Sequence, residues 1–114
     1  MPAYVVGHKS PDTDTVCAAI ALADLKSKLG TECKPAVQGK VNDETKFVLD
    51  KFGLDAPESI ESAAGKQIFL VDHSDRSQSL DDLDQGELMG IVDHHKLGDV
   101  STPKPVEIRA WPGG

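Results

Sequence analysis

The stretch AYVVGHKSPDTDTVCAAIALADLKSKLG, residues 3–30, decides the fold. It opens with the short apolar run AYVVG, residues 3–7, which predicts a buried strand whose glycine permits a close turn. After a loop, apolar residues recur at helical spacing, at Ala18, Leu22, Leu25 and Leu29. Gly30 is the predicted helix stop. A strand, a loop and a helix in this order indicate the start of a βαβ unit.

The next segments repeat this alternation. CKPAVQG, residues 33–39, predicts a weak strand at the sheet edge, because Pro35 cannot donate to a ladder. NDETKFVLDKFG, residues 42–53, predicts a helix capped by Asn42. Its predicted apolar side consists of Phe47, Val48 and Phe52.

Further apolar runs complete the pattern. QIFLV, residues 67–71, and LMGIV, residues 88–92, predict buried strands, and SLDDLDQG, residues 79–86, predicts a short acidic helix or turn between them. PVEIRAW, residues 105–111, predicts a final extended piece. Strands alternating with helical segments predict an α/β fold, a mostly parallel sheet with helices on both faces.

Composition agrees with a small layered protein. The 114 residues fit one domain, 1–114, and with 39 % hydrophobic but only 4 % aromatic residues the core must come mainly from Val, Ile, Leu and Ala. The net charge of -7 argues against a nucleic-acid partner. The N-terminus carries no apolar run of signal or membrane-spanning length, so we expect no membrane partner and a cytoplasmic location. Cys17 and Cys33 match no metal-thiolate spacing and are expected to be free, buried thiols.

Three predicted strands end in residues that bind metals. Carboxyl ends of parallel strands line one edge of a sheet, so groups far apart in sequence converge there. The groups are His8, Asp12 and Asp14 after the first strand, Asp72 and His73 after the third, and Asp93, His94 and His95 after the fourth.

Ligand type indicates the metal. Imidazoles and carboxylates without thiolate disfavour structural zinc and suit Mn²⁺, Mg²⁺ or Co²⁺. Several carboxylates favour more than one ion, and two adjacent cations can activate a shared water and clamp a phosphoryl group.

Each motif alone has a simpler explanation. PDTD is usually a turn and helix cap, with Thr13 or Asp14 capping, VDHS a solvated strand end, and DHH a chance match. Their shared position at strand ends favours a metal site.

GHKSPDTDT, LVDHS and IVDHHKLGD, residues 7–15, 70–74 and 91–99, resemble the metal-site motifs of the family II, manganese-dependent inorganic pyrophosphatases of the DHH phosphoesterase superfamily. The resemblance runs from the first strand to RAWPGG. It implies a parallel-sheet DHH-type domain, joined in family members to a C-terminal domain that closes over the substrate. Family members are about twice this length or more, so we expect a truncated or isolated domain without the closing domain.

The resemblance also implies metal ligands. His8 and Asp12 would hold the first Mn²⁺, and Asp14 and His94 the second. Asp72 would bridge the two ions, with Co²⁺ or Mg²⁺ as substitutes.

The catalytic residues implied by the resemblance are Asp14, Asp72 and His95, the last contacting substrate phosphate rather than metal. Asp93 is expected to orient a histidine. His73 is not expected to bind metal directly. Solvated charges are expected for Lys9, Lys96 and the acidic run Asp81, Asp82 and Asp84.

The implied reaction is hydrolysis of pyrophosphate to two phosphates by a hydroxide activated by two metals. A further aspartate ligand and the substrate-gripping Lys and Arg residues of the family have no counterpart in this sequence, so the chain alone should be impaired. Two alternatives stay open: a DHH phosphoesterase for another phosphoanhydride or nucleotide, and a non-catalytic metal-binding or assembly module. An uncovered sheet edge would favour a homodimer.

Overall fold

Six parallel strands form one sheet in the computed structural model, which describes residues 2–111. The sheet order is β3-β2-β1-β4-β5-β6, and every neighbouring pair is parallel, which confirms the predicted α/β fold. In this order the direction of strand addition reverses between β1 and β4, and such a switch point leaves a crevice at the carboxyl ends. The strands are β1 Ala3–Val6, β2 Cys33–Val37, β3 Glu58–Ser59, β4 Gln67–Val71, β5 Glu87–Asp93 and β6 Glu107–Ala110.

Helix α1, Thr13–Lys28, connects β1 to β2. It begins at the cap Asp12, whose carboxylate accepts a hydrogen bond of 2.9 Å from a first-turn backbone N–H. The prediction of Thr13 or Asp14 as the cap is therefore wrong, because the chain leaves its extended conformation one residue earlier. Gly30, at φ 104°, follows the helix end and confirms the predicted stop.

The buried face of α1 differs from the predicted apolar series. Leu25 is 51 % exposed and Leu29 is 72 % exposed. Small side chains allow the helix to approach the sheet closely, so the larger leucines lie at the side of the contact. The buried residues of the helix are Thr15, Val16, Ala19 and Ala23.

Helix α2, Asp43–Lys51, connects β2 to β3. Asn42 caps it as predicted and accepts a hydrogen bond of 2.8 Å from a backbone N–H of the first turn. The predicted apolar side is wrong, since Phe47 is 66 % exposed and Phe52 is 69 % exposed. Leu49 instead is buried, packing with Val16 and Val37.

Strand β2 is interior rather than an edge. It pairs with β1 on one side and with β3 on the other. The short β3 was not predicted and lies beside only Ala36 and Val37. Pro35 therefore has no strand next to it on the β3 side, which explains how a proline is tolerated in an interior strand.

The two faces of the sheet carry different cover. On one face, α1 buries β1 and β4 residues such as Val5 and Val71, and α2 packs against Val37 of β2. On the other face, Val6 and Leu70 pack with loop residues and with the 3₁₀ helix Leu83–Gln85, so helical structure lies on both faces. A second 3₁₀ helix spans Arg76–Gln78.

Both cysteines are free, as predicted, although only Cys33 is buried. In the described part of the chain, neither helix is long and apolar enough to cross a membrane.

Candidate metal centre

The three sequence motifs meet at the carboxyl ends of β1, β4 and β5, which lie side by side in the sheet. His8 follows β1, Asp72 directly follows β4, and the segment from Asp93 to His95 ends β5. Helix α1 starts in the same region and contributes Asp12 at its cap. The switch point of the sheet thus brings together residues separated by more than half the chain.

Asp72 is the central side chain of this cluster. It is only 4 % exposed, and its backbone has a φ of 62°, a left-handed conformation that aspartate tolerates better than most residues. Its Oδ2 lies 3.2 Å from His8 Nε2, and its Oδ1 lies 2.7 Å from His94 Nε2. The two oxygens of one carboxylate therefore face two different histidines, as a carboxylate shared between two cation sites would.

The first group contains His8, Asp12 and Asp72. The His8 Nδ1–H donates to the backbone carbonyl of Lys9 at 2.7 Å, which leaves Nε2 as a lone-pair donor for a metal. That nitrogen faces Asp72 Oδ2 and, at 3.6 Å, Asp12 Oδ1. One potential ligand atom from each of these three residues lies within 4.8 Å of the others, close enough to bind one cation together. The structure thus brings together the residues predicted for the first ion.

The second group is centred on His94. Its Nε2 lies 3.0 Å from Asp14 Oδ2 and 2.7 Å from Asp72 Oδ1. The hydrogen bond to Asp72, followed by that to Asp14, raises the pKa of His94 above its ordinary value. Two carboxylates converging on one imidazole thus attract a positive charge to the position predicted for the second ion.

His95 is held differently from His94. The Asp93 side chain is buried, and its Oδ1 accepts hydrogen bonds from the His94 backbone N–H at 2.8 Å and from His95 Nδ1–H at 2.7 Å. His95 Nδ1 also lies 3.8 Å from Asp72 Oδ1, close enough for His95 to form a potential metal-binding group with Asp72 and His94. Because Nδ1 already donates to Asp93, it has no lone pair for a metal. The prediction that Asp93 orients a histidine is confirmed.

The carboxyl group of Asp72 stays ionised despite its burial. Burial raises its pKa, but hydrogen bonds from Thr15 and His94 and the nearby His8 lower it by more, so the pKa lies below its ordinary value. The Thr15 hydroxyl, which donates to Asp72 Oδ2 at 2.7 Å, was missed at the sequence level. The only available signal was its position as the last residue of PDTDT, one helical turn from the cap.

His73 stands apart from both groups, as predicted. Its Nδ1–H donates to the Val71 carbonyl at 2.8 Å, and burial lowers its pKa. Its Nε2 has no hydrogen-bond partner among residues 2–111.

Lys9 is not merely solvated, since it forms an ion pair with Asp81. Lys96 is exposed, as predicted.

Two openings border the centre. A groove of about 600 Å³ is mostly apolar and is lined by residues such as Leu22, Leu25, Val92 and Trp111. A polyanion would lose its hydration there without compensation. The second opening, the polar pocket, has a volume of about 360 Å³ and is lined by polar and charged residues, among them His8, Lys9, Ser10, His73, Gln78 and His95. The polar pocket is therefore the better candidate route for an anionic substrate.

The donor set fits a hard or borderline divalent cation. It offers carboxylate oxygens and imidazole nitrogens without thiolates. Within residues 2–111, no lysine or arginine forms an ion pair with any of the site carboxylates, and their ion-pair partners are all histidines. Bound cations would supply the missing positive charge. The carboxylates are those of Asp12, Asp14, Asp72 and Asp93.

Comparison with known proteins gives consistent results. The manganese-dependent inorganic pyrophosphatase of Methanocaldococcus jannaschii is 54 % identical over 111 residues, which cover 97 % of this chain and 34 % of that protein. The manganese-dependent inorganic pyrophosphatase of Bacillus subtilis is 43 % identical over 112 residues, covering 96 % of this chain and 36 % of that protein. The chain thus spans about a third of the length of these relatives.

A solved structure shares the fold. A crystal structure of a Methanococcus jannaschii protein assigned to the family II inorganic pyrophosphatases superposes with a TM-score of 0.87 at 54 % identity, covering 95 % of this chain and 33 % of that one. The family model described as "DHH family, N-terminal domain" matches residues 2–113. The chain belongs to the DHH family and carries that family's N-terminal domain.

Proposed function

We propose that this chain is the metal-binding part of a manganese-dependent inorganic pyrophosphatase, which hydrolyses pyrophosphate to two phosphates. The observation that carries the proposal is the placement of Asp72, whose Oδ2 faces His8 at 3.2 Å and whose Oδ1 faces His94 at 2.7 Å. The names of the similar proteins support both the metal and the substrate.

The metal would be Mn²⁺, with two ions per chain. One ion would be held by His8 and Asp12, and the other by Asp14 and His94. Asp72 would be a ligand of both ions. When bound, such cations lower the pKa of a shared water and neutralise charge that develops on the phosphoryl group. Co²⁺ or Mg²⁺ could substitute, because the donor set contains only oxygen and nitrogen.

His95 would act on the substrate. Its Nδ1 is committed to Asp93 at 2.7 Å, and its ring borders the polar pocket, so Nε2 is the atom left for a phosphate oxygen. As an imidazolium it would donate to that oxygen with the strength of a charge-assisted hydrogen bond. Asp93 fixes the ring orientation. Asp14 and Asp72 would contribute to catalysis by holding the metal ions that activate the water.

We further propose that residues 1–114 form one metal-binding domain and that the substrate-closing domain lies outside them. Among the described residues that line the polar pocket, Lys9 is the one lysine or arginine. Preorganised positive charge supplies most of the rate enhancement in phosphoryl transfer. The chain by itself should therefore turn over far more slowly than a complete enzyme.

The test is release of phosphate from pyrophosphate by the purified chain with and without Mn²⁺. We expect slow release that requires Mn²⁺, is abolished in Asp72→Asn and is retained in Asp84→Asn. Asp84 is a matched control, because it precedes β5 at the opposite end of the sheet and is exposed. Equal release by the Asp72 variant would contradict the proposal.

The scarcity of positive charge in the polar pocket favours one other candidate, a non-catalytic metal-binding module. Stoichiometric Mn²⁺ binding without any phosphate release would support that candidate. Within the superfamily, a different phosphoanhydride or nucleotide substrate is the remaining alternative. Parallel assays with pyrophosphate, tripolyphosphate and a small nucleotide distinguish these substrates.

A homodimer stays a prediction. Strand β6 lies at the edge of the sheet, and its Ile108 is 40 % exposed. An exposed strand edge can pair with a second copy of the chain. Light scattering over the working concentration range checks this, and a monomeric mass throughout would refute it.

A further inference from the structure

We propose that Thr15 is the positioning residue of the centre, because it holds the two carboxylates that face His8 in their metal-binding orientation. The inference rests on the proposed metal centre. It concerns a residue that donates no atom to the metal but acts through Asp12 and Asp72.

Two hydrogen bonds from one residue carry the inference. The Thr15 hydroxyl donates to Asp72 Oδ2 at 2.7 Å, and the Thr15 backbone N–H donates to Asp12 Oδ1 at 2.9 Å. Both carboxylates belong to the group that surrounds His8 Nε2. Thr15, in the first turn of α1, thus connects Asp12 in the loop after β1 with Asp72 at the end of β4. Thr15 and Asp72 are 57 residues apart in the sequence.

The surroundings of Thr15 leave it little freedom. Its relative exposure is 0 %, and Asp72 is the only hydrogen-bond partner of its hydroxyl within residues 2–111. A Cβ added at Gly7 would lie 2.0 Å from Thr15 Cγ2, so the glycine leaves the space that the threonine methyl fills. The hydroxyl is therefore directed at Asp72 by packing as well as by its hydrogen bond.

The Thr15 contact differs in kind from the histidine contacts of Asp72. A cation placed between a histidine nitrogen and a carboxylate oxygen replaces the direct contact between them. The Thr15 O–H group competes with no ligand, so it can donate to Oδ2 in both the metal-free and the metal-bound state. It occupies one lone pair of that oxygen and leaves the other for a cation.

Loss of this donor should loosen the bridging carboxylate. The terminal torsion of an aspartate is broad and roughly two-fold, so without the hydroxyl the carboxylate plane can rotate away from the orientation that serves both groups. Removing a hydrogen-bond partner of a metal ligand typically weakens metal affinity by about 10- to 100-fold. Valine keeps the branched shape of threonine and lacks the hydroxyl, whereas serine keeps the hydroxyl and lacks the methyl group.

The experiment measures Mn²⁺ affinity of the full chain by the electron paramagnetic resonance signal of free Mn²⁺ during titration. We expect Thr15→Val to weaken binding by about 10- to 100-fold, and Thr15→Ser to bind much closer to the unsubstituted chain. Melting curves of the metal-free variants record any loss of stability separately, and titrations are made well below each melting temperature.

The outcomes separate the two proposals. If Thr15→Val binds Mn²⁺ as tightly as the unsubstituted chain, the positioning role is refuted while the metal centre stands. If serine weakens binding as much as valine does, packing rather than the hydroxyl is responsible, and the inference is again refuted. If the unsubstituted chain binds no Mn²⁺, both the proposed function and this inference fail.

Discussion

At the scale of single residues, the candidate centre depends on which groups the two ring nitrogens of each histidine contact. His8 uses Nδ1 on a backbone carbonyl and presents Nε2 to carboxylates, whereas His95 uses Nδ1 on Asp93. His94 presents Nε2 to Asp14 and Asp72. The adjacent residues His94 and His95 therefore have different proposed roles, one toward metal and one toward substrate.

Substitution of the two histidines should separate these roles. His94→Gln should weaken Mn²⁺ binding strongly, because it removes the imidazole nitrogen that faces Asp14 and Asp72. His95→Gln should leave Mn²⁺ affinity nearly unchanged and lower the rate of phosphate release. Isothermal titration with Mn²⁺, paired with the phosphate assay, checks both. Loss of Mn²⁺ binding in the His95 variant would show that the assignment of the two residues is reversed.

Sequence alone identified the residues with distinctive chemistry and missed those that act by position. Histidines and aspartates after strand ends indicate a metal site through their side-chain type. Thr15 carries an ordinary hydroxyl, and only the packing of α1 against β1 and β4 directs it at Asp72. Asp82 was expected to be solvated, yet it accepts hydrogen bonds from Ser62 at 2.6 Å and from the Ala63 backbone N–H at 2.8 Å. Neither contact has a local sequence signal.

At the scale of elements, Asp82 fastens the loop before β4 to the turn before β5. The hydrogen bonds from Ser62 and from the Ala63 backbone N–H hold the pKa of Asp82 below its ordinary value. A carboxyl group with a lowered pKa in the folded state stabilises the fold above its unfolded pKa, and that contribution is lost as the pH falls through the folded pKa.

Asp82→Ala should therefore lower the free energy of unfolding most at neutral pH. The difference from the unsubstituted chain should narrow below the ordinary pKa of 3.8, where Asp82 is protonated in the unfolded state. Urea unfolding at neutral pH and at about pH 3 measures this difference in the free energy of unfolding. Asp84→Ala, which removes an exposed neighbour, is the control. A difference that stays constant or grows on acidification would be incompatible with this account.

The elements themselves were largely predictable, but their buried faces were not. Alternating strands and helices, the Asn42 cap and the Gly30 stop follow from local chemistry. Leu25 and Phe47 are exposed although hydrophobicity predicted burial. Which side of a helix faces the sheet depends on how closely the two can approach, and here small or short side chains such as Ala19 and Ala23 make the contact. That choice is set by tertiary packing rather than by the helix sequence.

At the scale of the whole molecule, sheet topology creates the candidate site. The order β3-β2-β1-β4-β5-β6 places the ends of β1, β4 and β5 together at the switch point, where parallel α/β proteins bind ligands. The site carboxylates have no lysine or arginine ion-pair partner among residues 2–111 and concentrate negative charge at this edge of a chain whose net charge is -7. Divalent cations would relieve that repulsion and stabilise the fold by mass action.

The structure points to Asp72 as the residue that joins two proposed cation sites in one chain. Its most direct test is the stoichiometry of Mn²⁺ binding, measured by equilibrium dialysis for the unsubstituted chain, Asp72→Asn and the control Asp84→Asn. We expect two Mn²⁺ ions per chain for the unsubstituted protein and the control, with affinity lost at both sites in the Asp72 variant. Two sites of unchanged affinity in Asp72→Asn, or a single site in the unsubstituted chain, would contradict it.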